Sequence, residues 1–217
     1  MVRLDALAQE HGIPLIIDNA DGMPFPNIIY SDVTLNWHEN IILCFSLSKI
    51  GLPGVRTGII VAAPEVVKAV SSLNAIVNLS PTRFGAAIAA PLLNDGRLKQ
   101  LADEVIQPFY RQQAQTAVAL LKRELGAYPL KIHKPEGAIF LWLWFENLPV
   151  SSQTLYEMLK AEGTLIIPGE HFFVGIDTQD YPHAHECIRM SIAQDAETLE
   201  KGIAAIGRVV RGLYDKK

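Results

Sequence analysis

The 217-residue chain is 49% hydrophobic and 19% charged, so it can bury a substantial core as one large domain or two small ones. Its formal net charge of -4 lacks the clustered Lys and Arg excess of a nucleic-acid-binding surface, and no apolar run reaches the length of a membrane span. Residues 1–5 lack the apolar centre of a signal peptide and the two cysteines, Cys44 and Cys187, are too few for a secreted disulfide framework, so we expect a cytoplasmic protein without nucleic-acid or membrane partners.

The first part of the chain predicts a helix, two strands and the loops that follow them. Apolar residues at helical spacing indicate a helix over 2–11, which ends at a glycine. Residues 14–17 predict a short apolar strand that leads to Asp18, and 19–39, rich in Gly, Pro and Asn, predicts a loop. The apolar run 41–45 predicts a second buried strand that leads into a loop. Ligands of α/β sheets bind at such strand ends, so we expect a site there.

The loop after the second strand combines groups that suit a phosphorylated aldehyde. Lys49 supplies a nucleophilic amine and Arg56 an anion clamp, while Ser46 and Ser48 add small hydrogen-bond donors. Each residue alone would be typical of a solvated loop. However, Asp18 would reach the same crevice from the end of the first strand. Pyridoxal phosphate chemistry requires a lysine amine, a phosphate clamp and a carboxylate for the pyridine nitrogen, so the sequence predicts that cofactor at these strand ends.

The remaining elements complete one domain and build another. We expect a third buried strand at 58–63, and a later alanine-rich helix capped by Ser80 with Pro81 in its first turn. Helical spacing runs over 97–125, with Pro108 as a kink or break. Further strands are expected at 130–133, 138–145, 164–167 and 187–192, and further helices at about 64–75, 152–161 (capped by Ser151) and 195–214. The pattern indicates an α/β part followed by an α+β part.

Arg189 lies between apolar residues in the middle of a predicted strand. A guanidinium is costly to bury there unless it pairs with an anion. The pattern therefore predicts either a salt bridge to a buried carboxylate or a bidentate clamp on the α-carboxylate of a bound amino acid.

Two other groups of residues have competing interpretations. His183, His185 and Cys187 would share one side of an extended segment, and His171 could join them, but the ligand spacing of a zinc site is missing and we predict no metal. Alternation in the strand 138–145 predicts two faces, each with three large apolar side chains. Without a basic groove, its aromatic face is expected to be core and substrate wall and not a platform for bases.

Several stretches resemble the class I/II aminotransferases of fold type I. The stretches similar to their cofactor core are 17–20 (Ile-Asp-Asn-Ala) and 46–49 (Ser-Leu-Ser-Lys) with Gly54, Arg56 and Gly58. Those similar to the valine–pyruvate aminotransferase branch in particular are 134–144, Pro168 and Gly169 with Phe172, and Arg189. The resemblance runs the length of the chain and covers about the carboxyl-terminal half of such a protein.

The resemblance implies a fold and a set of residue roles. Residues 1–110 would be the remainder of a pyridoxal-phosphate-binding large domain, with a mainly parallel sheet and the start of the interdomain helix, and 111–217 a small α+β domain. Lys49 would be the catalytic residue bonded to the cofactor, and Arg189 would bind the substrate. The further cofactor-binding residues would be Asp18, Ser46, Ser48 and Arg56.

The implied function is transamination between valine, or a similar apolar amino acid, and pyruvate, in a family whose full-length members form homodimers. In this chain Asp21 stands where the family usually has a tyrosine whose hydroxyl bonds the phenolic oxygen of the cofactor, which a carboxylate would repel. The first half of the large domain has no counterpart here, so we expect the isolated chain to bind cofactor weakly and not to turn over. The alternatives are a non-catalytic truncated fragment and a pyridoxal-phosphate-dependent carbon–sulfur lyase.

Overall fold

The computed structural model describes residues 2–31, 34–80 and 82–216, and the chain divides into two compact units, Met1–Pro108 and Phe109–Lys217. The first unit contains a sheet with strand order β1-β2-β3. β1 (Leu15–Asp18) pairs parallel with β2 (Ile41–Ser46), and β2 pairs antiparallel with β3 (Gly58–Val61). The unit is therefore a mixed α/β structure in which one of these two pairings is parallel.

Helices precede and follow the strands of this unit. They are α1 (Val2–Glu10), α2 (Pro64–Asn78), α3 (Phe84–Asn94) and α4 (Arg97–Leu101), and α5 (Gln107–Leu125) begins at the end of this unit and lies mostly in the second. A π-helical segment, Ala102–Ile106, joins α4 to α5 directly before Pro108. Because proline has no backbone N–H, the regular helical bond cannot form at this position, so the predicted irregularity is a local change to π-helical bonding within a continuous helical stretch.

Two predictions for this unit are wrong. β3 was expected to be buried, but Ile60 is 41% and Val61 40% exposed, because β3 forms the edge of the described sheet. Ser80 was expected to cap the helix after α2, but α3 begins later, at Phe84, with Arg83 in the N-cap position. Pro81 lies outside the described residues.

The core of the first unit lies on one face of β2. Ile41, Leu43 and Phe45 alternate with partly exposed residues and are almost fully buried. Ala89 of α3 and Leu98 of α4 belong to the same buried cluster. Burial on this face fixes the register of β2 and with it the position of the loop that follows.

The second unit contains an antiparallel sheet with strand order β4-β5-β7-β6. Its elements are β4 (Leu130–Ile132), β5 (Phe140–Phe145), α6 (Ser152–Ala161), β6 (Ile167–Pro168), α7 (Pro182–His185), β7 (Cys187–Ser191) and α8 (Ala196–Tyr214). The predicted cap of α6 is confirmed, since Ser151 Oγ accepts a hydrogen bond of 3.2 Å from the backbone N–H of Thr154. Within the described ranges, no helix combines the length and the apolar character needed to cross a membrane.

The two faces of β5 are different, as its alternation predicts. Leu141, Leu143 and Phe145 are buried in the core. Phe140, Trp142 and Trp144 point to the other face and are partly exposed. The opposite face of the sheet therefore carries an aromatic surface, and Arg189 of β7 lies opposite Trp142 in the register.

Candidate active site

The parallel pairing of β1 and β2 brings two predicted cofactor residues to one edge of the sheet. Asp18 is the last residue of β1 and is paired in register with Cys44, so its side chain lies near the end of β2. Ser46 is the last residue of β2. The Asp18 carboxylate is exposed and accepts a hydrogen bond of 3.1 Å from the backbone N–H of Ala20. A carboxylate is thus presented at the carboxyl ends of the strands, where ligands of α/β sheets bind.

Lys49 lies in a short 3₁₀ turn, Ser48–Ile50, directly after β2. Leu47 and Ile50 are buried on either side of it, which anchors the turn to the core. The hydroxyl of Ser46 accepts a hydrogen bond of 3.1 Å from the backbone N–H of Ser48. These contacts hold the Lys49 backbone at the same sheet edge as Asp18.

Arg56 adopts a backbone conformation that is unusual for a residue with a side chain. Its φ is +48°, in the left-handed region, and its backbone N–H donates to the carbonyl of Pro53. The start of α3 holds this loop closely, since a Cβ on Gly85 would lie 2.1 Å from the Thr57 hydroxyl oxygen. Strain of this kind persists where the surrounding structure enforces it and is common at ligand sites. The guanidinium is exposed and, within the described part of the chain, forms no salt bridge, so it can accept an anion.

Asp21 lies close enough to Asp18 and Lys49 to interact with their charges, and it is more buried than its place in a loop suggests. Its Oδ1 atom is buried and has no hydrogen-bond partner among the described residues. Burial raises the pKa of the Asp21 carboxyl, the positive charge of Lys49 partly offsets this, and the negative charge of Asp18 adds to it. The three groups therefore sense each other electrostatically. Because the pKa is raised, Asp21 holds its proton more readily than an ordinary aspartic acid, which weakens the repulsion that the sequence suggests.

Replacing Asp21 with Asn is expected to raise the free energy of unfolding near pH 7 and to change it little near pH 3. A carboxyl whose pKa is raised in the folded state stabilises the fold while it is protonated. That contribution is lost as the pH rises above the ordinary value of 3.8 and through the raised pKa. Urea unfolding curves of the two proteins at both pH values measure the difference.

Asp103→Asn is the matched control with the opposite sign. A hydrogen bond from Lys99, and a second one from Asn27, lower the pKa of Asp103, so this variant should lose stability at neutral pH and lose less of it in acid. An Asp21→Asn protein no more stable than the parent at neutral pH would contradict the prediction.

Arg189 occupies an interior strand of the second unit. β7 pairs with β5 on one side and β6 on the other, and Arg189 lies between Trp142 and Ile167 in the register. Its guanidinium carbon lies over two aromatic rings, 4.1 Å from the centre of Phe140 and 4.7 Å from that of Phe172.

The guanidinium of Arg189 has an incomplete set of partners. Nε is buried and, among the described residues, has no hydrogen-bond acceptor. The described salt bridges include none to a carboxylate from Arg189, so the structural alternative of a buried salt bridge is not formed there. A half-buried cation with an unpaired donor is suited to a carboxylate ligand, since the guanidinium fork can bond a carboxylate through two N–H groups.

The metal-site alternative fails on local structure. His183 and His185 lie in the helical turn α7, and not in an extended segment, because Pro182 begins a helix there. His185 is paired with Glu170, with 2.6 Å between Nδ1 and a carboxylate oxygen. Burial raises the pKa of the Cys187 thiol to about 11, which disfavours the thiolate that a metal needs. No group of three metal-ligating side chains occurs in ranges 2–31, 34–80 and 82–216.

The sequence does not predict every feature of these sites. Phe172 belongs to one of the stretches that resemble the family, but that resemblance does not predict the contact of Phe140 and Phe172 with Arg189. Phe140 lies on the same face of β5 as Trp142, because alternate residues of a strand share a face, and Trp142 pairs with Arg189 in the register. This alternation is the sequence pattern that could have linked Phe140 to Arg189. No sequence pattern predicts the burial of Asp21, because the segment around it has the composition of a solvated loop.

The chain is similar along most of its length to known aminotransferases. The family model for class I and II aminotransferases matches residues 2–206. The valine–pyruvate aminotransferase of Escherichia coli is 46% identical over 210 residues, which are 97% of this chain and 50% of that protein.

Two solved structures are similar over the whole of this chain. That of valine–pyruvate aminotransferase from Salmonella typhimurium has a TM-score of 0.91 at 44% identity, and 55% of that chain is covered. That of a protein from Psychrobacter arcticum assigned as an amino-acid aminotransferase has a TM-score of 0.96 at 68% identity, and 50% of that chain is covered. The chain thus spans about half the length of these relatives. It belongs to the family of class I and II aminotransferases.

Proposed function

We propose that the protein takes part in a pyridoxal-phosphate-dependent transamination between valine, or a similar apolar amino acid, and pyruvate. The observation that carries this proposal is the group formed by Asp18 and Lys49 at the shared end of β1 and β2, with Ser46 beside them. The name of the Escherichia coli relative supports the choice of valine and pyruvate. When bound, pyridoxal phosphate supplies an electron sink for the α-carbon of the amino acid.

The donor set fits this cofactor. A carboxylate at the end of β1 suits a pyridine N–H, and the Lys49 amine suits an aldehyde. The exposed Arg56 guanidinium, in its strained loop, and the hydroxyls of Ser46 and Ser48 suit a phosphate. We propose these five residues as the cofactor-binding set.

Three residues of the chain would then have separate roles in the reaction. The Lys49 amine would take the proton from the α-carbon of the amino acid and return it during the exchange of the amino group. Arg189 would bind the α-carboxylate through its planar fork. Asp18 would hold the proton of the pyridine nitrogen, because a carboxylate favours a nearby positive charge.

The organisation of the protein is part of the proposal. We assign residues 1–110 to the cofactor-binding large domain, with the start of the interdomain helix, and 111–217 to the small domain. We also propose a cytoplasmic homodimer. The exposed apolar side chains of α2 and its end, among them Leu73, Ile76 and Leu79 at 61%, 76% and 85% exposure, support association through a protein interface.

The test is a coupled assay for alanine formation from valine and pyruvate with saturating pyridoxal phosphate. It is run on the 217-residue chain and on a hybrid in which the amino-terminal half of the Escherichia coli relative precedes it. We expect turnover in the hybrid, lost in Lys49→Ala, and none from the chain alone.

The outcomes separate the alternatives. Release of pyruvate and ammonia from a cysteine conjugate, without alanine formation, would replace transamination with carbon–sulfur elimination. No turnover in a folded hybrid would leave a non-catalytic role. Turnover by the chain alone, lost in Lys49→Ala, would establish that these residues suffice.

A further inference from the structure

The Arg189 guanidinium is held by aromatic rings from two different elements. Phe140 comes from β5, the neighbouring strand, and Phe172 from a 3₁₀ turn, Gly169–Phe172. A guanidinium is a planar cation whose faces stack on rings while its N–H groups point outward in the plane. Stacking on the faces therefore leaves the N–H edge open to a carboxylate.

The turn that carries Phe172 is fixed against β7. A Cβ on Gly169 would lie 2.6 Å from the carbonyl oxygen of Cys187, so the turn lies directly on the strand that carries Arg189. The polar contact between the Glu170 carboxylate and His185 Nδ1, at 2.6 Å, ties the turn to α7. Trp142 packs edge-on against the Phe172 ring, with centroids 5.3 Å apart and an interplanar angle of 90°. The backbone of this turn is thus held against β7 and α7, and the Phe172 ring is packed against Trp142.

We propose that Phe172 is a positioning residue that holds the Arg189 guanidinium in place for a monocarboxylate. This rests on the proposed role of Arg189 in binding the substrate. An unrestrained arginine side chain loses rotamer freedom when it binds a ligand, and the ring removes part of that cost beforehand. The buried Nε has no acceptor among the described residues, so the guanidinium carries a donor that this part of the chain leaves unsatisfied.

The experiment measures binding of 3-methyl-2-oxobutanoate, the 2-oxo acid of valine, to the full chain by titration calorimetry, with its methyl ester as the neutral probe. Phe172→Leu is expected to raise the Kd of the acid about fivefold to thirtyfold, the range for loss of a partly desolvated cation–π contact. Phe172→Tyr keeps the ring and should stay within about twofold of the parent. The ester should bind more weakly than the acid to the parent protein.

Two controls separate positioning from general damage to the fold. Phe173→Leu changes the neighbouring ring, whose described contacts are with Trp142, Tyr181 and His183, and should leave the Kd within about twofold. In an Arg189→Leu background, adding Phe172→Leu should raise the Kd of the acid by less than about twofold, because the contact that it removes is already lost. A merely structural role would give the same loss in both backgrounds.

Each result decides the proposal without an activity assay. An unchanged Kd in Phe172→Leu, the same loss in the Arg189→Leu background, or equal binding of acid and ester by the parent would overturn it. If the hybrid with the Escherichia coli half fails to transaminate but the chain gives the expected pattern of Kd values, the positioning role stands and the proposed reaction is removed. If the hybrid transaminates but Phe172→Leu leaves the Kd of the acid unchanged, the proposed reaction stands and the positioning role is removed.

Discussion

Lys49→Ala is expected to abolish the reductive trapping of pyridoxal phosphate on this protein. Alanine has no amine to bond with the aldehyde, so borohydride treatment should leave no phosphopyridoxyl group on the peptide that contains position 49, and the yellow absorbance band should be lost. The effect should be complete, since the bond cannot form at this position without the amine. Absorbance spectroscopy and mass spectrometry of the reduced, digested protein measure it.

Lys68→Ala is the matched control for this experiment. Lys68 is exposed on α2, outside the group of residues around Asp18, so its loss should leave both the band and the labelled Lys49 peptide in place. Trapping at position 49 requires binding and bond formation, not turnover, so the result is informative even if the chain alone is inactive. Undiminished labelling and an unchanged band in Lys49→Ala would remove Lys49 from the proposed site.

The parts of the fold that the sequence predicts well are those set by local chemistry. The apolar runs of β1 and β2 end in polar loops, and this alone places Asp18 and Lys49 after neighbouring strands. The alternation of β5 separates its core face from its aromatic face. In these segments the order of apolar and polar residues is enough to predict where a strand ends or which of its faces is buried. The long-range contacts in the structure agree with that local prediction.

The predictions that failed depended on contacts distant in sequence or on an overlooked local signal. Burial of β3 was predicted from its apolar composition, but exposure depends on which strands pair beside it. The composition of the segment after β1 predicts a loop but not its burial, and Phe25 and Ile28 are buried within it, with Asp21 partly buried. The rival metal site required His183 and His185 to lie in an extended segment, although Pro182 is a typical first residue of a helix. The contact of Phe172 with Arg189 joins a turn to a strand, which no local pattern specifies.

Arg189→Leu is expected to weaken binding of a monocarboxylic 2-oxo acid by about 2–5 kcal/mol, the range for removal of one partner of a buried, hydrogen-bonded charge pair. The Kd of 3-methyl-2-oxobutanoate should rise about thirtyfold or more. Trapping of pyridoxal phosphate on Lys49 should persist, because the proposed cofactor residues all belong to the first unit. Titration calorimetry and borohydride trapping measure the two effects on the same protein.

The fold should tolerate this substitution. Among the described residues, no carboxylate pairs with Arg189, so its removal strands no buried negative charge. Leucine also suits a strand position between Trp142 and Ile167, beside the Phe140 ring. Arg189→Lys keeps the positive charge but loses the planar fork that bonds a carboxylate at two points, so it should bind the acid with intermediate affinity. Equal loss of acid binding and cofactor trapping in Arg189→Leu would instead identify Arg189 as a residue that the fold needs, and would remove it from the proposed substrate site.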